Sequence, residues 1–114
     1  MWFRHSPAER REGRIEFLGE QDGPAERELK ALLRVECRRF PSVQRAYLAR
    51  MGFTPDAPIS VGLCIAPSSA EDQAIVEAVH RAFSSLFASD AHLDIVFVDA
   101  EQERDLQRVC QSFL

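Results

Sequence analysis

The fold of this chain is decided by one stretch, Val43–Ala66, which reads VQRAYLARMGFTPDAPISVGLCIA. Its middle, Thr54–Pro58, combines proline with aspartate, a composition typical of turns. On either side, residues 43–53 and 59–66 alternate along the chain with the period of two that is typical of a β-strand. The stretch therefore predicts two strands joined by a short loop.

The second of these strands separates its side chains by size. The larger residues on one face are Ile59, Val61, Leu63 and Ile65, and the smaller residues on the other are Ser60, Gly62, Cys64 and Ala66. Small side chains let another element approach a strand closely. We therefore expect both faces of this strand to be packed, one against larger neighbours and one against an element that lies close to the backbone.

Helices are predicted before and after the hairpin, and each has a start signal. The first begins at Pro24, since proline is tolerated at the first helical position, and ends before Pro41. The second begins at Ser68 or Ser69, with Asp72 at capping-box spacing from Ser69. Each of the two segments carries an apolar stripe at helical spacing, which predicts that both helices pack on the sheet. The stripe of the first is Leu29, Leu32, Leu33, Cys37 and Phe40, and that of the second is Ile75, Val79, Ala82, Phe83 and Leu86.

Two more strands and a third helix complete the predicted order. Residues 14–18 alternate, and Leu93–Val98 is apolar on both faces, as in an interior strand. Asp99 is expected to cap the third helix, with Gln102 at the capping-box position. The predicted apolar side of that helix consists of Leu106, Val109, Cys110 and Phe113.

The order β-α-β-β-α-β-α predicts an α+β fold. We expect a single domain over residues 13–114, preceded by an N-terminal arm over residues 1–12. Two β-α-β crossovers joined by the hairpin would place two helices on one face of a mixed four-stranded sheet. Because Leu93–Val98 is apolar on both faces, the C-terminal helix or a dimer partner is expected to cover the other face.

Composition is that of an ordinary globular domain. The chain has 114 residues, of which 46% are apolar and 28% charged, with a net charge of −4. The charge is unevenly distributed, with +2 over residues 1–57 and −6 over residues 58–114. Such asymmetry suits electrostatic docking to a charged partner, although solvated helix faces are the favoured interpretation. The chain is not basic enough to predict nucleic-acid binding.

The sequence favours a cytoplasmic protein without membrane contact. The longest apolar run, within Ile59–Ala66, is far shorter than a membrane span of roughly 20 residues. The first 14 residues carry charges where a signal peptide needs an apolar segment. The three cysteines, Cys37, Cys64 and Cys110, are widely spaced and odd in number, which argues against a disulfide framework or a zinc knuckle.

The pattern of segments resembles the C-terminal domain of the bacterial enhanced-serine-sensitivity protein (SseB) family. The resemblance covers about Gly13 to Leu114 and is carried by the Ala46-Tyr47-Leu48 step, the ISVGLCIA and LDIVFVD strands and the two apolar helices. The chain departs from the family where Ser112-Phe113-Leu114 replaces a common Pro-Phe-Tyr, and it lacks the second domain that many members carry. The resemblance implies a stand-alone form of a domain with no established reaction.

Candidate chemistry in the sequence is sparse. Cys64 is the best thiol candidate, with His80 or His92 as a base, although a small buried cysteine under the third helix is the favoured interpretation. Three aspartates near the last strand could bind a cation, but Asp99 has a cap role and Asp90 suits a turn, so we expect no metal and no cofactor. They are Asp90, Asp94 and Asp99. No residue is assigned a catalytic role.

Three aromatic residues are candidates for contact with a partner. Tyr47 is expected in the core, with its hydroxyl reaching a polar group at the rim, and the alternative is an exposed anchor for a protein. Trp2 and Phe3 belong to no periodic element and are candidates for exposed apolar contacts, with a disordered tail as the equal alternative. Such contacts would serve a homodimer or another protein partner.

These observations lead to three hypotheses about function. The first is a non-enzymatic protein-interaction module that binds through a sheet face or edge. The second is a small-ligand-binding or thiol-dependent enzyme that uses Cys64. The third is an adaptor similar to secretion chaperones, which are small acidic α+β dimers. Those chaperones open with a long helix, whereas this chain is predicted to open with a strand.

Overall fold

The elements follow the predicted order, with one additional strand. The computed structural model describes residues 15–52 and 58–114 and the backbone of Phe3–His5. In chain order its strands and helices are β1 (Phe3–His5), β2 (Glu16–Glu20), α1 (Pro24–Cys37), β3 (Arg45–Gly52), β4 (Ser60–Ala66), α2 (Gln73–Leu86), β5 (Leu93–Phe97) and α3 (Ala100–Gln107). The α+β class and the order from β2 to α3 are confirmed. Strand β1 lies within the segment that was predicted to be an arm.

The strands form one mixed sheet in the order β1-β5-β4-β3-β2. Strands β3 and β4 are antiparallel, as the hairpin requires, and β4, β5 and β1 run parallel. The crossover from β4 through α2 to β5 is as predicted, but β2 pairs antiparallel to β3, so the predicted β-α-β crossover through α1 is wrong. Alternation along a strand predicts which side chains are buried, and the same faces are buried whether neighbouring strands pair parallel or antiparallel. Alternation therefore does not predict the pairing direction.

The first core lies between one face of the sheet and both α1 and α2, as predicted. The sheet contributes Ala46, Leu48, Leu63, Ile65, Leu93, Ile95 and Phe97. The helices contribute Leu29, Leu33 and Cys37 from α1, with Ile75, Val76, Val79, Ala82 and Phe83 from α2. Burying one such large aliphatic side chain stabilises a fold by about 1.5–3 kcal/mol. This layer therefore supplies the main apolar stabilisation of the described chain.

The second core lies on the opposite face, where α3 packs as expected. Leu106 and Cys110 pack against a cluster drawn from the sheet: Phe17, Tyr47, Ala49, Met51, Cys64, Ala66, Val96 and Val98. A Cβ atom built on Gly62 would lie 2.2 Å from Cε of Met51. The small residue at this position therefore allows the Met51 side chain to lie across β4, which explains the small-residue face of that strand by packing.

The caps of α2 and α3 differ in how well they were predicted. Asp99 and Gln102 form the expected capping box, each side chain accepting from the other residue's backbone N–H. The predicted start of α2 is wrong, because residues 68–70 form a 3₁₀ turn and the helix begins at Gln73. There the Asp72 carboxylate accepts from the N–H of Ala74. A carboxylate adds a favourable charge at the positive helix end, which a serine cap lacks.

The last residues of the chain leave α3 and reach α1. Val109, predicted on the apolar side of α3, is exposed. Phe113 packs with the first core, and its N–H donates to the carbonyl of Ala46, on the edge of β3 that β2 leaves unpaired. The Arg34 Nε on α1 donates to the Phe113 carbonyl at 2.9 Å. The chain end thus closes this edge and joins the two helical layers.

No helix within residues 15–52 and 58–114 has the length and apolar character needed to cross a bilayer.

Candidate functional site

The three thiols are buried in the two cores. Cys64 lies on β4 under α3, with its Sγ 3.8 Å from Sδ of Met51. Burial raises the pKa of the Cys64 thiol well above its usual range. His80, one of its two candidate bases, lies on α2, across the sheet from this thiol. Because Cys64 is buried and His80 lies on the other face of the sheet, the placement of this thiol argues against thiol chemistry.

The other two thiols are equally unsuited to nucleophilic chemistry. Cys37 packs between α1 and the sheet, and Cys110 lies in the core under α3. Burial raises the pKa of each thiol to about 11. At neutral pH both are therefore protonated, and a thiol is a much weaker nucleophile than a thiolate.

Tyr47 is a core residue, so its interpretation as an exposed anchor is wrong. Its side chain is 1% exposed, because α3 covers this part of the sheet. The hydroxyl donates to Oε2 of Glu103 and accepts from Nε2 of Gln107 at 3.0 Å. The polar rim partner expected for this hydroxyl is therefore a carboxylate on α3.

Glu103 is the centre of a polar network between α3 and β3. Both oxygens of its carboxylate accept from the guanidinium of Arg45, the Nη2–Oε1 distance being 2.9 Å. Hydrogen bonds from Arg45, and then from Tyr47, hold the pKa of Glu103 below its usual range against the opposing effect of burial. Burial and the Glu103 hydrogen bond raise the pKa of Tyr47. The network therefore holds a carboxylate, a guanidinium and a protonated phenol, a stable arrangement that docks α3.

A second polar group lies where β4 and β5 begin. Asp94 is fully buried on β5, where Oδ2 accepts from the Ser60 hydroxyl and Oδ1 contacts Nε2 of His92, both at 3.0 Å. The aspartate thus orients a half-buried imidazole, while Ser60 bonds to the aspartate rather than to the imidazole. This order differs from a nucleophile–base–acid relay, in which the histidine contacts the nucleophile. The arrangement ties the starts of two strands together.

The remaining predicted candidates do not form a site. Asp99 is the cap of α3, and within residues 15–52 and 58–114 no three His, Cys, Asp or Glu side chains cluster as metal ligands would. Trp2 lies outside the described residues, and only the backbone of Phe3, in β1, is described. Their expected role as partner contacts stays a prediction.

The outer surface of α1 carries exposed apolar residues that the packing of the fold does not use. Among the described residues, the large apolar side chains that are exposed are Leu32 at 37%, Val35 at 62%, Ile59 at 64% and Val109 at 39%. Leu32 and Val35 are one turn apart on α1 and form a pair. Glu28 precedes them on the same face, and Arg39 follows just after the helix; both are exposed. We call these four residues the α1 outer face.

The turn of α1 extends far enough to include Arg39 in this face. Arg38 keeps a right-handed helical conformation, with φ −67° and ψ −14°, and the Arg39 N–H donates to the carbonyl of Glu36. The Arg39 guanidinium bonds to the Glu36 carboxylate at 2.8 Å and lies over the ring of Phe40, 5.9 Å from its centroid. The face therefore has an acidic start, an apolar middle and a basic end.

The sequence contained signals for two features that were missed. Glu103 is one turn before Leu106 on the packed side of α3, and a carboxylate at such a position indicates a buried polar contact. Asp94, which the sequence offers as a cation ligand, is likewise the single charged residue in an otherwise apolar strand, and this pattern indicates its buried contacts with Ser60 and His92. The α1 outer face was not predicted, because the spacing of Leu32 fits the buried stripe of the helix. The prediction that Leu32 is buried is wrong.

Comparisons with protein-family models, with curated proteins and with solved structures returned no match. The resemblance to the C-terminal domain of the SseB family therefore stays a prediction. Any proposal about function has to rest on the geometry described above.

Proposed function

We propose that this protein is a non-catalytic interaction module that binds a protein partner through the α1 outer face. The observation that carries the proposal is the exposure of Val35, the most exposed large apolar side chain on any described helix. Val35 contributes nothing to either core, and as a β-branched residue it is a poorer helix former than alanine. A residue that helps neither packing nor helix formation is well suited to a contact outside the chain.

The residues around Val35 give this face the anatomy of a small interface. Leu32 enlarges the apolar centre, and Glu28 and Arg39 supply charges at its rim. An apolar centre with a polar rim is the usual arrangement of a protein–protein contact, in which the rim charges favour one orientation. The sheet face expected to bind a partner is less suited, because α1 and α2 pack on one face of the sheet and α3 packs on the other.

The structural setting of Cys64 gives little support to the alternative of a thiol-dependent enzyme. The thiol is buried with a raised pKa, and the two other thiols are buried as well. The Asp94–His92 pair is the arrangement closest to acid–base chemistry, but both carboxylate oxygens of Asp94 already have protein partners. We therefore favour binding over catalysis.

Site-specific photo-crosslinking tests the proposal. A benzophenone amino acid is placed at position 35 on α1 in one variant and at position 81 on α2 in a control variant. Arg81 is also exposed, and α2 lies on the same side of the sheet. Irradiation of the cells that produce the protein is expected to give discrete adducts from position 35 and none from position 81.

Each outcome of this experiment bears on the proposal. Adducts of defined mass from position 35 alone would support binding through the α1 outer face. Equal labelling from both positions, or none from either, would contradict it. A Leu32→Lys change in the position-35 variant provides a further check, because it should abolish the adducts if the apolar centre is what binds.

Four further expectations from the sequence are compatible with this proposal. A cytoplasmic location and a role without nucleic acid both agree with the balance of charged and apolar residues. The resemblance to the SseB C-terminal domain agrees with a binding rather than a catalytic role. A role as a secretion adaptor would use the same face, with the secreted client as the partner.

A further inference from the structure

We propose that a second copy of this chain occupies the α1 outer face, so that two α1 helices pair antiparallel about a two-fold axis. This inference rests on the proposed function and names the partner. It depends on the spacing, the exposure and the order of charges along α1.

The four residues of the α1 outer face have the spacing of a helix–helix seam. Glu28, Leu32, Val35 and Arg39 are separated by four, three and four residues. At 3.6 residues per turn the three residues within α1, Glu28, Leu32 and Val35, lie within an arc of about 60° on one side of the helix, and Arg39 follows on the turn that continues it. Alternating steps of three and four are those of the a and d positions along which two helices pack in a coiled coil. All four side chains are exposed.

An antiparallel pair makes this seam complementary to itself. If Leu32 of one copy lies opposite Val35 of the second copy, then Glu28 of the first lies opposite Arg39 of the second. The two-fold axis repeats both contacts, which gives two apolar pairs in the centre and one ion pair at each end. Such an isologous contact, in which the same patch serves both subunits, is the commonest way in which soluble proteins form dimers.

The charges disfavour the parallel alternative. In a parallel pair, each residue of the seam lies opposite its own copy. Glu28 would then face Glu28, and Arg39 would face Arg39, which is repulsive at both ends. The order of charges along α1 therefore selects the antiparallel orientation.

The existing partner of Arg39 does not prevent this contact. Arg39 bonds to Glu36 within its own chain, and its side chain stays largely exposed. An exposed ion pair of this kind contributes little to stability. The guanidinium has five N–H donors, so it can keep Glu36 and also bind a carboxylate of the second copy. Ala31, also exposed beside the seam, is small enough to allow close approach of the two backbones.

The contact is small, so the dimer must be weak. α1 has 14 residues, which corresponds to a length of about 21 Å. A contact of two such helices along one seam is below the roughly 1,200 Å² of total buried area that is typical of stable complexes. We therefore expect dissociation in the micromolar range or above, so that the fraction of dimer depends on protein concentration and falls with added salt.

Sedimentation equilibrium of the full chain over a series of concentrations tests the inference. The apparent mass should rise from 12.9 kDa toward twice that value as concentration increases. Glu28→Arg alone and Arg39→Glu alone should each weaken association by roughly 2- to 30-fold, because each change alters two ion pairs per dimer. The double variant Glu28→Arg/Arg39→Glu should recover the wild-type constant, since the two charges have exchanged places. Glu77→Arg on α2 is the matched charge control and should leave association unchanged.

A second pair of variants tests the apolar centre. Val35→Lys should abolish the concentration dependence, whereas Ile59→Lys, which changes a residue of equal exposure, should retain it. Circular dichroism confirms that each variant is folded, as expected for changes at exposed positions. A wild-type chain that stays monomeric at every concentration overturns the inference, as does a double variant as weak as the single ones. Crosslinks from position 35 to a different protein would then still support the proposed function, so the two failures are distinguishable.

Discussion

α1 and α2 are two helices of equal length on the same face of the sheet, and they differ on their outer surfaces. Each has 14 residues and packs an apolar stripe into the first core. The exposed positions of α2 carry no apolar side chain larger than alanine: Gln73, Ala74, Glu77, Arg81, Ser84 and Ser85. Those of α1 include Leu32 and Val35. Because both helices pack on the same face of the sheet, packing does not explain why their outer surfaces differ. The exposed apolar residues of α1 therefore point to a function outside the fold.

The largest expected effect is a difference in the free energy of unfolding between substitutions at two adjacent residues of α1, one on its inner surface and one on its outer face. Leu33 is fully buried, so Leu33→Ala removes apolar contacts and leaves a cavity that costs about 2–5 kcal/mol of the free energy of unfolding. Leu32→Ala, at an exposed position, should cost about 1 kcal/mol or less. Urea denaturation of both variants measures the contrast. Similar losses would show that Leu32 belongs to the core and would remove it from the α1 outer face.

α3 differs from α1 and α2 because polar contacts hold it on the sheet. Glu103→Gln should cost about 1–3 kcal/mol at neutral pH, since Arg45 and Tyr47 lose a charged partner. The pKa of Glu103 is lowered in the folded state, so its stabilisation is present above the unfolded value of about 4.3 and is lost as pH falls through the folded pKa. Urea denaturation at several pH values measures this difference.

The control for this variant lies on the same helix. Glu101 is exposed in the first turn of α3, and Glu101→Gln should change stability less than Glu103→Gln at neutral pH. A Glu103→Gln deficit that is the same at pH 3 and pH 7 would mean that the carboxylate charge is not what docks α3.

The smallest expected effect comes from a substitution that raises the stability of the monomer and weakens its self-association. Val35→Ala should raise the free energy of unfolding of the monomer by about 0.5 kcal/mol, because alanine is the better helix former. The same change should weaken self-association. Ser84→Ala on α2, at an exposed position, should give a similar gain in stability and leave association unchanged. Thermal unfolding at low concentration and sedimentation at high concentration check the two signs. A Val35→Ala variant that associates like the wild type would show that Val35 is not part of the contact.

Most of the fold could be predicted because it depends on periodicity and on local caps. Alternation in Val43–Ala66, helical spacing in two segments and the Asp99–Gln102 capping box each follow from the chemistry of neighbouring residues. The antiparallel pairing of β2 with β3 could not be derived in this way. Pairing direction depends on how the chain returns from α1, and the same faces are buried in either case.

The polar contacts and the α1 outer face were harder to predict for a related reason. Tyr47 was correctly expected to bond at the rim, but its partner Glu103 is 56 residues away along the chain. Only the docking of α3 brings the two together. The exposure of Leu32 depends on where α2 lies beside α1, since its spacing from Leu29 fits a buried stripe equally well. Neighbouring residues alone do not fix such contacts between elements.

The most direct test of the central claim is a dilution series followed by ¹H–¹⁵N NMR, from the millimolar to the micromolar range. We predict that amide resonances of Glu28, Leu32, Val35 and Arg39 shift together with concentration, and that those of Glu77, Arg81 and Ser84 on α2 stay fixed. This result would localise self-association to the α1 outer face. Resonances that do not shift, or that shift on α2 and not on α1, would contradict the claim that this face is a self-complementary interaction surface.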